Sequence, residues 1–72
     1  MSVGKITLFG DKLLEDDAQI GRTESGGNGH NVFYWKDGDA NQEVFLATID
    51  INHGEVDVVR AIKTALSRVR RN

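Results

Sequence analysis

His30 and His53 are the only imidazoles in the chain, so acid-base or metal chemistry near neutral pH would have to begin with them. Asp50, Glu55 and Asp57 lie close to His53 in sequence, and two imidazoles with a carboxylate could hold a transition metal or relay a proton. The two histidines do not have the spacing that places two ligands on one helix face. Each histidine also falls where a loop meets an element, a place that favours an exposed or capping role. No metal and no cofactor is expected. Ser2, Ser25 and Ser67 occupy no strand-turn-helix elbow of the kind that presents a serine nucleophile. Cysteine is absent, which excludes disulfides, thiolate zinc and a cysteine nucleophile together.

The glycine-rich middle invites a phosphate reading, since backbone N–H groups without Cβ crowding can cradle phosphate oxygens. Residues 21–26 have the first spacing of a P-loop, but Gly27 and Asn28 stand where that motif needs Lys and Ser or Thr. The dinucleotide pattern begun by Gly27 and Gly29 meets Val32 at its third glycine. Asp37, Asp39 and Asn41 match the first three ligand positions of a calcium loop. Gln42 and Thr48 then replace its glycine and its bidentate glutamate. A hairpin turn and a solvated loop account for these segments more simply.

Gly29, His30, Asn31, Val32 and Phe33, followed by a predicted strand, a turn, a second strand, His53-Gly54-Glu55 and a helix with Ile62, loosely resemble the HicA toxins. Those are RNA-cleaving proteins of double-stranded-RNA-binding-like fold with a histidine before a strand. The likeness spans residues 29–66 and implies a ribonuclease with His30 in the catalytic position. This chain departs from the family in having Asn-Gly-His for Gly-Ser-His and in opening without an amphipathic helix.

Charge is strongly segregated. Residues 1–59 hold all 11 acids against Lys5, Lys12, Arg22 and Lys36, a net of −7, whereas residues 60–72 hold five bases and no acid, a net of +5; the total of −2 conceals both. Arg60, Lys63, Ser67 and Arg70 recur at steps of three, four and three, with Arg68 and Arg71 beside them. Such a stripe could hold a nucleic-acid backbone or an acidic protein partner. It is equally what a solvated helix face needs to complement its own dipole.

The element that must carry this stripe is predicted over residues 54–70. Val59, Ile62, Leu66 and Val69 form an apolar face at helical spacing, with Val58 and Ala65 flanking it. Asn52 and Glu55 have the spacing of a capping box, though Gly54 blurs the start. Residues 44–51 read as a strand with Phe45, Ala47, Ile49 and Ile51 toward the core and Val44, Leu46, Thr48 and Asp50 away from it. Residues 32–36 form a second, aromatic strand, joined to the first by turn chemistry at 37–42 as an antiparallel hairpin. Ile6 and Leu8 mark a short strand ending at Gly10 and Asp11. Residues 11–24 read either as a short helix capped by Asp11 or as two short strands turning at 15–18. The strand pair is favoured because Asp16 and Asp17 would oppose a helix dipole. Residues 25–31 are expected to be a loop, with Asn28-Gly29 as its turn.

The expected architecture is a single α+β domain over residues 1–72: a small antiparallel sheet of three to five strands, meander-like, followed by one C-terminal amphipathic helix packed on one face. Leu, Ile, Val and Phe make up 20 of 72 residues, enough for a core and too many for a disordered chain. No apolar run exceeds four residues, so neither a membrane span nor a signal segment is expected, and the lack of cysteine fits a reducing, cytoplasmic location. One helix covers one face of a sheet, and the other face is too apolar to stand in water without a reason. The leading expectation is therefore a non-enzymatic protein-binding module, a homodimer or a subunit or inhibitor in a larger complex, using Tyr34, Trp35, Val44 and Leu46. The alternative is RNA or DNA binding through Arg60, Lys63, Arg68, Arg70 and Arg71, with His30 as the cleaving residue if the HicA likeness holds.

Overall fold

The computed structural model describes residues 3–27, 29–50, 52 and 54–71, with Arg71 as backbone alone. His53 and Ile51, used in the sequence reading, lie outside the described residues. Five strands follow one another in the chain, β1 (Ile6–Phe9), β2 (Lys12–Glu15), β3 (Ala18–Gly26), β4 (Gly29–Trp35) and β5 (Glu43–Asp50), before helix α1 (Glu55–Arg71). The strands pair in chain order, each antiparallel to the next, as a meander. The fold is thus the expected α+β arrangement, with the sheet at the upper end of the expected strand count.

Residues 11–24 resolve in favour of strands. Asp16 and Asp17 take φ values of 50° and 70°, the left-handed pair that a two-residue type I′ hairpin turn requires and that Asp tolerates better than most residues. Residues 25–31 are not a loop: β3 and β4 stay paired up to Gly26 opposite Gly29, and Asn28 of the expected Asn28-Gly29 turn lies outside the described residues. The β4–β5 connection is a short 3-10 turn over Lys36–Gly38. There Lys36 N–H donates to Gln42 O and Gln42 N–H to Asp39 O. The Asp39 carboxylate accepts from Asn41 N–H and Gln42 Nε2, so it closes the turn with its own side chain.

Two bulges decide which side chains are inside. Leu13 faces Gly21 while Leu14 faces Gln19, leaving Ile20 as the extra residue on β3. Val32 faces Ala47 while Phe33 faces Phe45, leaving Leu46 as the extra residue on β5. Side chains alternate along a strand with a period of two, so one extra residue reverses the faces of everything beyond it. Ala47 and Ile49 keep the inward direction expected of them, but Phe45 turns out to 54% exposure and Leu46 packs against the core. The predicted alternation over residues 44–51 is therefore corrected at its first half.

The core is Ile6, Leu13, Val32 and Ile49 from the sheet with Ile62 and Leu66 from α1. The helix packs against both edge strands, β5 and β1, so it crosses one face of the sheet from side to side. Val58 N–H donates to Gly54 O, which puts Gly54 in the cap position and removes the expected Asn52 capping box. Asn52 N–H instead donates back to Asp50 Oδ1. At the other end of the chain, Gly4 N–H donates to Glu15 Oε2 and Lys5 N–H to Asp16 Oδ1, tying the N-terminal segment to the β2–β3 turn.

Candidate functional site

The face of the sheet away from α1 carries a row that runs through all five strands. Phe9 pairs with Lys12, Lys12 with Arg22, Arg22 with Phe33 and Phe33 with Phe45, and residues directly opposite share a face. Phe9 is 69% and Phe45 54% exposed. Phe33 and Phe45 meet edge to face, centroids 5.9 Å apart at 69°, the geometry their quadrupoles favour. The Arg22 guanidinium lies 4.7 Å over the Phe33 ring. It donates through Nε and Nη2 to both oxygens of Glu43 and through Nη1 to Glu24. Trp35 Nε1 donates to Glu43 Oε2 at 3.1 Å.

These contacts make a closed cluster. Hydrogen bonds donated to Glu43, then to Glu24, hold the Arg22 guanidinium above its ordinary range, and those accepted from Arg22, then Trp35, hold the Glu43 carboxyl below its own. Beside the cluster, Thr48 Oγ1 donates to Asn31 Oδ1. The expected interface residues are divided between the two sides. Trp35 is on this open face. Tyr34 and Leu46 pack against the core under α1, and Val44 lies opposite Tyr34 on that same side. The four do not form one surface: Tyr34 and Trp35 are consecutive residues of β4 and point to opposite faces, and the bulge at Leu46 puts Val44 and Leu46 on the covered side.

On the covered side, Arg70 turns inward from the basic stripe. Its Nη1 and Nη2 donate to Glu15 Oε2 and Oε1 at 2.7 and 2.5 Å, and its guanidinium lies 5.6 Å from the Tyr34 centroid. The Arg70 hydrogen bonds hold the Glu15 carboxyl at about 2, against an opposing push from burial and with help from Gly4 N–H. Arg60, Lys63 and Arg68 remain exposed on α1. The Arg71 side chain lies outside the described residues.

His30 sits inside β4 instead of before it, half-buried, with Nδ1 3.2 Å from Ser25 Oγ across the hairpin. It lines a cleft of about 260 Å³ with Leu8, Gly10, Thr23, Ile49, Asp50 and Val58. A serine beside an imidazole is the start of a nucleophile pair, but no described side chain orients the histidine in turn. Among the described residues no three His, Cys, Asp or Glu side chains cluster as metal ligands. Strands β1 to β3 occupy the region where the HicA likeness requires an opening helix, so the likeness does not extend to the fold.

Comparison with protein-family models, curated proteins and solved structures finds no match for this chain. Among the described residues no helix is long and apolar enough to cross a membrane. Sequence reasoning missed Arg22, Glu43, Phe33 and Phe45 as a group, since their meeting depends on the register of three strands. Glu15 had a signal: it lies two residues after buried Leu13 and so points to the same face.

Proposed function

We propose that this chain is a non-enzymatic protein-binding module that self-associates as a homodimer through the open face of its sheet. The observation that carries the reading is the row from Phe9 to Phe45, exposed at both ends and built around an ion cluster that is already satisfied. Exposed aromatic rings cost free energy in water and are repaid by a cover. The charges argue for what that cover is. Lys12 and Arg22 are matched on this face by Glu24 and Glu43, so two copies meet without net repulsion. A polyanion, in contrast, would have to take Arg22 away from two carboxylates. Burying the cluster against protein leaves its donors and acceptors paired. A twofold interface uses the same patch on both chains. A standard interface takes about 800 Å² from each, roughly a sixth of the 4912 Å² surface here.

Light scattering at about 100 μM tests the proposal, a concentration that would populate a dimer of micromolar Kd almost fully. The expected mass is twice 8.0 kDa, falling to the single-chain value in Phe45→Ser. A wild-type monomer at that concentration overturns it.

A further inference from the structure

We infer that the outer face of α1 binds a nucleic-acid phosphate backbone without regard to base sequence. The basic stripe read from the sequence is redrawn by the fold. Arg70 leaves it to pair with Glu15 on the covered side, and Arg60, Lys63, Thr64, Ser67 and Arg68 remain as a line along the helix. Lys63, Thr64, Ser67 and Arg68 border one surface depression of about 440 Å³. Arg60, Lys63 and Thr64 border a second of about 290 Å³ with Val56 and Val59. The two share Lys63 and Thr64, so they form a continuous strip.

Every polar side chain on that strip is a hydrogen-bond donor, three as cations and two as hydroxyls, which is the set that phosphate oxygens accept from. The acids of the helix, Glu55 and Asp57, lie in its first turn, and no acid follows Asp57 in the sequence. From Arg60 to Arg68 the helix rises about 12 Å, the length of about three nucleotides at roughly 3.4 Å each along a strand. No aromatic residue occurs after Phe45, so the strip has no platform on which to stack bases, and the contacts read the backbone alone. The helix packs on the other side of the sheet from the Phe9 to Phe45 row, so this site does not rest on the homodimer reading and stays available in a dimer.

The test is fluorescence anisotropy of a labelled mixed-sequence oligonucleotide, single-stranded and duplex, titrated with the whole chain over a series of salt concentrations. Three phosphate contacts predict a log-log slope of affinity against salt of about −2 for single strands. Arg60→Glu combined with Lys63→Glu should weaken binding at low salt by at least about tenfold, since two attractive contacts become repulsive. Thr64→Ala with Ser67→Ala should cost a smaller factor, and Lys36→Glu, in the β4–β5 turn, should cost none. The altered helix residues are exposed or half-buried, and circular dichroism checks that each variant folds. The inference fails if no oligonucleotide binds at low salt, if the double charge reversal leaves affinity unchanged, or if Lys36→Glu weakens binding as much. It also fails if anionic phospholipid vesicles bind and oligonucleotides do not.

Discussion

Arg70 holds the Glu15 carboxyl near 2 by two short hydrogen bonds made under partial burial, with Gly4 N–H adding a third contact. Because the folded value is depressed from an ordinary 4.5, the stabilisation is fully present above about pH 4.5 and is lost as pH falls from there toward 2. Glu15→Gln should therefore cost about 1.5 to 3 kcal/mol at pH 7 and much less at pH 3, measured as the urea unfolding free energy of both proteins at the two values. A second residue is fixed by space. A Cβ on Gly21 would lie 2.0 Å from the backbone oxygen of Phe33, whereas one on Gly26 would meet nothing closer than 3.9 Å. Gly21→Ala should destabilise by about 1 to 3 kcal/mol or more, since backbone and not a side-chain tip must move. Gly26→Ala should be close to neutral by the same unfolding measurement.

At the scale of elements, the helix was legible because its signal is local. Ile62 and Leu66 are fully buried and Val59 packs against them, as the three-four spacing requires. The meander order of the strands was legible for the same reason, but their number stood at three to five, residues 25–31 read as a loop, and the bulges left no signal. Leu46 lies inside the apolar run Val44–Ala47 and Ile20 between Gln19 and Gly21, and nothing in their neighbours marks one residue too many. What places the bulge is the pairing of β4 with β5, settled where Leu46 reaches the core and Phe45 reaches Phe33. The two phases make opposite predictions. With the bulge, Phe45→Ser should cost the folded single chain about 1 kcal/mol or less, the worth of an exposed aromatic pair, while Leu46→Ala should cost about 2 kcal/mol or more. Uninterrupted alternation would reverse that order. Urea denaturation at low micromolar concentration, where the single chain is the species measured, decides between them.

For the molecule as a whole, size and charge layout set the terms. A chain of 72 residues buries only about 60% of its unfolded surface, so a cover on the open face would add a substantial part of its stability. If the homodimer forms, the thermal midpoint should rise with protein concentration, because only the folded pair is populated by mass action. Phe45→Ser should remove that dependence, and scanning calorimetry over a hundredfold concentration range reads both. The segregation of acids from bases places charge pairing at the Glu15–Arg70 contact, where the basic end of the chain returns to the acid that ends β2. The sequence by itself determined the α+β class, the C-terminal helix, the hairpin joining residues 32–36 to 44–51, and the count by which one helix leaves one face of the sheet uncovered. Each of these follows from near-neighbour spacing or from counting elements. Only the tertiary structure decided which residues occupy that face, which arginine leaves the basic stripe, and where His30 lies. The reason is physical: register, bulge position and a salt bridge across 55 residues are set by packing between segments far apart in the chain, and no local pattern of residues encodes them.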